Sequence, residues 1–110
     1  MSSLDSPKAF KQYVLEAVDG ALSVLGGESV TKAFYYHLER RTNLTRHEIP
    51  CKLEAFHEAL SELFGDGSAI LEGRICRNLY KALGLEYSLI NGKTLTAYVK
   101  EVFLKREAIQ

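Results

Sequence analysis

Residues 7–27 of the chain read PKAFKQYVLEAVDGALSVLGG, and their apolar side chains recur every three or four positions. This spacing predicts an α-helix, with Ser6 as its cap, Pro7 at its first position, and Gly26 and Gly27 as its stop. The periodic apolar residues are Phe10, Tyr13, Val14, Leu15, Ala17, Val18, Ala21, Leu22, Val24 and Leu25. They cover an arc of about 200°, which is wider than one packed face requires. We therefore expect this helix either to lie at the centre of the fold or to share its apolar surface with a partner.

The rest of the chain repeats the same helical spacing, so the predicted fold class is all-α. Apolar stripes predict further helices over residues 29–41, 53–64, 69–83 and 95–109. Thr94 is placed to cap the last of these, and Thr45 with Glu48 has the spacing of a capping box before a short turn that Pro50 ends. Residues 85–89 alternate apolar and polar side chains ahead of an Asn-Gly turn, which leaves one short β-hairpin before the last helix as an open alternative. We expect a compact bundle of about five helices.

The composition is that of an ordinary globular chain, and we expect one helical domain over residues 1–110. The 110 residues are 46% hydrophobic and 25% charged, and 14 Lys and Arg balance 14 Asp and Glu. A net charge of zero removes the general electrostatic argument for a polyanionic partner. No apolar run reaches the roughly 18 residues that span a bilayer, and the first residues do not have the pattern of a secretory signal. Because Cys51 and Cys76 are too few for a disulfide framework, we expect a cytoplasmic protein with two free thiols and no membrane association.

Several short motifs between residues 28 and 85 are similar to those of a known family. They are Glu28-Ser29-Val30, Tyr36-His37-Leu38-Glu39, Ile49-Pro50, Phe56-His57-Glu58-Ala59-Leu60, Leu63-Phe64-Gly65, Leu71-Glu72 and Leu83-Gly84-Leu85. In these residues the chain resembles the Nitrosopumilus output domain family, a small family of archaeal domains. The resemblance implies a compact helical domain, found alone or attached to signalling proteins, and it carries over no reaction and no catalytic residue.

Two polar residues fall among positions that otherwise look buried. His37 lies at the middle of the apolar face of the predicted helix 29–41, and Glu72 projects between Leu79 and Leu83 of the predicted helix 69–83. A buried polar side chain has to be hydrogen-bonded, so His37 and Glu72 are a candidate buried pair. The alternative for Glu72 is an interaction with the start of its own helix. An inward-pointing His37 argues against a phosphoacceptor role, because a phosphoacceptor must be exposed.

The sequence contains no defensible catalytic, cofactor-binding or metal-binding motif. The only possible zinc ligands are His47, Cys51, His57 and Cys76, and no Cys-x-x-Cys or His-x-x-x-His pair anchors them. The chain has no nucleophile elbow, no phosphate loop and no dinucleotide fingerprint. We therefore expect a protein that is not an enzyme and that uses no cofactor.

A basic stripe on the predicted helix 69–83 is the best candidate for an anion or partner site. Arg74, Arg77 and Lys81 are spaced by three and four residues on the side opposite the apolar face, with Asn78 beside them. A solvated helix face explains the stripe equally well, because cations near the end of a helix also favour its dipole. The functional alternative draws on the order helix, short glycine turn, helix and possible hairpin, which is that of a winged helix-turn-helix.

The sequence favours a non-enzymatic interaction or signalling output module that displays helical surfaces to a protein partner. Tyr35, Tyr36 and Leu104 are candidate apolar anchors for that partner. The wide arc of the first helix and the stray Leu104 also predict a homodimer formed by the terminal helices. The alternative is a nucleic-acid-binding regulator that uses the helix with Arg74, Arg77 and Lys81.

Overall fold

The computed structural model describes residues 7–105, and α-helices dominate this part of the chain. Four α-helices follow one another: α1 Pro7–Thr42, α2 Leu53–Phe64, α3 Ser68–Ala82 and α4 Leu95–Lys105. Two short 3-10 segments, Arg46–Cys51 and Gly65–Gly67, join the helices on either side of α2. No strand occurs within the described residues, so the predicted all-α class is confirmed. The Ser6 cap and the predicted end of the last helix, 106–109, lie outside the described residues.

Helix α1 is sharply bent, and the two helical segments on either side of the bend correspond to the first two predicted helices. Gly26 (φ −177°, ψ 20°) and Gly27 (φ 76°, ψ −159°) interrupt the helical backbone. The Tyr35 hydroxyl donates a hydrogen bond of 2.5 Å to Asp19, although a straight helix would separate these residues by about 24 Å. The segments 7–25 and 28–42, hereafter the N-arm and the C-arm, therefore fold back on each other.

The N-arm lies at the centre of the fold, which explains its wide apolar arc. Helix α1 packs chiefly against α3, which the N-arm meets at Ala17, and α3 in turn contacts α2 and α4. The buried N-arm residues are Phe10, Val14, Leu15, Ala17, Val18, Ala21 and Leu22. Of the two expectations for this arc, the central position is therefore the observed one. Val24 and Leu25, beside the bend, remain 65% and 57% exposed.

The predicted caps of α3 and α4 are present. Gly84 adopts a left-handed backbone (φ 73°) after α3, and the Leu85 amide donates a 2.8 Å hydrogen bond to the Tyr80 carbonyl. The Thr94 hydroxyl accepts a 3.1 Å hydrogen bond from the Ala97 amide at the start of α4. The predicted end of α3 at Gly84 and the predicted start of α4 at Thr94 are therefore confirmed.

The hairpin alternative for residues 85–92 is wrong, because this segment pairs with side chains rather than with a second strand. The Ile90 amide donates to the Tyr98 hydroxyl at 2.7 Å, and that hydroxyl donates to the Ser88 carbonyl at 3.2 Å. The rings of Tyr80, Tyr87 and Tyr98 pack with centroids 5.3 to 6.0 Å apart. Tyr98 thus holds the segment against α4.

Within residues 7–105, no helix combines the length and apolarity needed to cross a lipid bilayer.

Candidate functional site

An apolar groove of about 580 Å³ opens where the beginning of α1, the beginning of α2 and helix α4 meet. Its volume lies in the range of about 300–1,000 Å³ that is typical of ligand sites. The apolar lining residues are Phe10, Pro50, Leu53, Ala55, Val99, Phe103 and Leu104. Leu104 is 71% exposed, so the groove presents an apolar side chain that the fold itself does not cover.

Local structure explains how these side chains converge. Phe10 of the N-arm contacts Phe103 of α4 edge-to-face, with ring centroids 5.1 Å apart. The 3-10 segment that contains Pro50 ends at Cys51, and α2 begins two residues later at Leu53. The groove is therefore assembled from three elements that lie far apart in the sequence.

Lysines outnumber carboxylates on the rim of the groove. Lys11, Lys52 and Lys100 line it together with a single acidic residue, Glu54. Lys52 is paired with Glu48 at 2.9 Å, and its hydrogen bond together with that of Thr45 lowers the pKa of Glu48 to about 2. Lys11 and Lys100 form no ion pair within the described residues. The rim therefore presents net positive charge around an apolar floor.

The predicted pair of His37 and Glu72 is wrong, because His37 is exposed. The C-arm buries only Phe34 and Leu38, which lie one helical turn apart on the same face. His37 lies outside this face, and its ring centroid is 5.4 Å from that of Tyr36. The apolar face predicted for residues 29–41 included His37. The C-arm buries a narrower face than that, and His37 lies outside it.

Glu72 does form a cross-helix pair, but with His57 of α2. The Nδ1 atom of His57 lies 2.5 Å from Glu72 Oε2, and the two side chains are 44% and 13% exposed. His57 lies at the edge of the α2 apolar stripe, opposite the carboxylate on α3. This pair joins α2 to α3.

A smaller cleft of about 370 Å³ is lined by Glu72 and Lys93, and each of these two charged groups is paired with a residue outside the cleft, His57 and Glu101 respectively. Burial and the neighbouring Glu72 raise the pKa of the Cys76 thiol to about 12, so the thiol stays neutral at pH 7 and is a poor nucleophile there. Lys93 pairs with Glu101 and its ammonium lies 4.6 Å from the Tyr98 ring centroid. The cleft therefore holds no activated nucleophile beside a base.

The basic stripe lies on the exposed face of α3. Arg74, Arg77 and Lys81 are exposed and form no ion pair with any described residue. Arg77 and Lys81 line a shallow depression of about 320 Å³ with Leu85, Tyr87 and Leu89. The cations on this face are therefore free to meet an anion.

Asn78, the polar residue predicted beside the stripe, has a packing role. Its side-chain amide donates a 3.1 Å hydrogen bond to the Ala17 carbonyl of the N-arm. A Cβ atom at Gly20 would come within 3.3 Å of the same amide nitrogen, so glycine permits the close approach of α3. Asn78 therefore uses one of its two amide N–H donors to join α3 to the N-arm.

Of the three predicted apolar anchors, only Leu104 lines the groove. The Tyr35 hydroxyl donates to Asp19, which also accepts two hydrogen bonds from Arg46 at 3.2 and 2.7 Å. Burial and the Asp19 hydrogen bond raise the pKa of Tyr35, and this half-buried side chain joins the two arms of α1. Tyr36 is exposed beneath the Arg40 guanidinium, 5.5 Å from its ring centroid.

No family model, curated protein or solved structure matches the chain. The resemblance to the archaeal output domain family therefore stays a prediction. Within residues 7–105, no group of three or more His, Cys, Asp and Glu side chains is arranged to hold a metal ion.

Proposed function

We propose that this protein is a non-enzymatic interaction or signalling output module whose groove binds an amphipathic helical segment with acidic flanks. The observation that carries the proposal is the exposed Leu104 in an apolar groove with a lysine rim. We further propose that it acts in the cytoplasm, because two unpaired cysteines suit a reducing compartment.

The physical argument for this partner has two parts. An apolar channel between helices is the usual receptor for the apolar face of an added helix, whose anchors recur every three or four residues. Lys11 and Lys100 favour carboxylates next to those anchors, and such complementarity gives orientation and a faster encounter more than affinity. The apolar floor supplies the affinity, and the lysines select acidic segments over basic ones.

The test uses a fluorescent helical peptide of about four turns, with leucines on one face and glutamates on the other, and its lysine counterpart. We expect the acidic peptide to bind the wild-type protein more tightly than the basic one in an anisotropy titration. Leu104→Asp should weaken binding at least about tenfold, because it places a charge on the apolar floor. The matched control is Leu89→Asp, since Leu89 is 81% exposed and lies outside the groove.

Two outcomes contradict this proposal. Equal losses of affinity in Leu104→Asp and Leu89→Asp would show that the groove is not the site. A wild-type chain that dimerises, and becomes monomeric only with Leu104→Asp, would assign the groove to a second copy instead.

Lys11→Glu with Lys100→Glu should reverse the preference between the two peptides without changing the fold, because both lysines are on the rim.

A nucleic-acid-binding role for α3 is the second candidate, supported by three exposed cations without ion pairs on one face. We expect it to rank lower, because the net charge of the chain is zero. A gel-shift titration at increasing salt tests it, with Arg74→Ala, Arg77→Ala as the variant. Submicromolar, salt-sensitive duplex binding that this variant abolishes would place the nucleic-acid role first.

A further inference from the structure

The bend in α1 depends on only two residues. Residues 7–25 and 28–42 are helical, and the non-helical backbone angles are confined to Gly26 and Gly27. Rotation of these two residues into the helical region would convert the hairpin into one straight helix. A short hinge between two packed elements is the setting in which identical chains exchange an element.

The bent form needs glycine at both hinge positions. Gly27 has φ 76° and ψ −159°, a backbone region essentially confined to glycine. A Cβ atom at Gly26 would overlap the Val30 side chain, which is β-branched and stiff. Alanine at either position therefore disfavours the hairpin, while it favours a continuous helix.

The contacts that hold the N-arm can all be supplied by another copy. The N-arm joins the rest of the fold through Asp19 with Tyr35 and Arg46, and through the Ala17 carbonyl with Asn78. Each of these contacts joins the N-arm to residues beyond the hinge. An N-arm from a second chain would make the same contacts in the same geometry.

The apolar side chains beside the hinge are uncovered in the hairpin. Val24, Leu25 and Val30 are 65%, 57% and 38% exposed. In an exchanged dimer the two straight helices must pass each other near Gly26 and Gly27. Val24 and Leu25 of both copies, which point about 100° apart on a straight helix, then lie at this crossing and lose exposed apolar surface.

The geometry points to a second folded state of this protein, a dimer with a second copy of the chain in which α1 is straight and the N-arms are exchanged. Each groove then takes Phe10 and Lys11 from one chain and Leu53, Val99 and Leu104 from the other. The exchange does not rest on the proposed function, because it preserves the groove whether or not a partner binds there.

The sharpest test reverses the charge on either side of the ion pair between Asp19 of the N-arm and Arg46 of the 3-10 segment Arg46–Cys51. Asp19→Arg places two cations together within one chain, and Arg46→Asp places two carboxylates together. In an exchanged heterodimer of these two variants, residue 19 of each chain meets residue 46 of the other chain, and the two carry opposite charges. We expect the two chains, refolded together, to give a heterodimer at least about tenfold in excess of either homodimer by native mass spectrometry. The control chain carrying both substitutions restores the pair internally and should remain monomeric.

A second variant tests the hinge directly. Gly26→Ala with Gly27→Ala should strengthen dimerisation at least about a hundredfold, since four substitutions per dimer favour the straight helix. Scattering should then show a particle of twice the 12.3 kDa mass. Its straight α1 of about 54 Å would exceed the 39 Å longest extent of the monomer. Unmixed monomers or a statistical mixture in the first experiment would overturn the inference. So would an alanine variant that stays a folded monomer, or that loses helical circular dichroism instead of dimerising.

Discussion

His57 and His37 show how the role of a residue depends on what faces it. Both histidines lie on helices near apolar positions, yet only His57 meets a carboxylate. Glu72 is 13% exposed, and a carboxylate in that position is costly unless a hydrogen-bond donor reaches it. His37 has a solvent-exposed site against the Tyr36 ring. The polar pair that matters for stability is therefore the one between α2 and α3.

We expect His57→Ala to lower the free energy of unfolding by about 1–3 kcal/mol, because it leaves the Glu72 carboxylate without its partner. The lower end of this range is the more realistic one, since His57 is 44% exposed. His37→Ala is the matched control and should stay within about 0.5 kcal/mol of the wild type. Urea unfolding followed by circular dichroism measures both. A larger loss for His37→Ala than for His57→Ala would restore the original assignment of the core histidine.

At the scale of the element, the features that could be predicted from the sequence are those set by neighbouring residues. Thr94 caps α4, and Glu48 accepts a 2.9 Å hydrogen bond from the Thr45 amide, as the capping box predicts. Gly84 ends α3 with a positive φ. Each of these signals acts within about five residues, where backbone preference and side-chain hydrogen bonds dominate.

The features that could not be predicted depend on contacts between distant elements. Gly26 and Gly27 were correctly identified as the end of a helix, but the fold-back of the C-arm depends on Asp19 meeting Tyr35 and Arg46. Alternating residues before Asn91 suggested a hairpin, while the Tyr98 hydroxyl from α4 satisfies the backbone there. Periodicity identifies which side of a helix is apolar, and it does not identify the element that covers it.

At the scale of the whole molecule, the groove and the core are products of the assembled fold. Phe10, Leu53 and Leu104 converge although more than 40 residues separate each from the next. The fold likewise buries Cys76 and partly buries Tyr87, two titratable groups that carry no sequence signal. Burial raises the pKa of Cys76 and of Tyr87 to about 12. In the unfolded chain the same groups would titrate near 9.0 and 10.0.

These raised pKa values make the folded state sensitive to alkali. As pH rises above 9.0, the unfolded chain loses the Cys76 proton while the folded chain keeps it until about pH 12. The stability that this thiol contributes is complete below pH 9 and is lost between these two values. The slope from one such group is about −1.4 kcal/mol per pH unit within that window.

We therefore expect the free energy of unfolding to fall steadily as pH rises from 9 toward 12, with Cys76 acting before the tyrosines. Cys76→Ala should flatten the curve between pH 9 and 10, whatever it costs at neutral pH, because the slope reports the titration and not the lost packing. Cys51→Ala is the control, since Cys51 is exposed and should leave the slope unchanged. Urea titrations at half-unit pH intervals under reducing conditions measure the three curves. Identical slopes for Cys76→Ala and the wild type would mean that the thiol titrates alike in both states, and hence that α3 does not bury it.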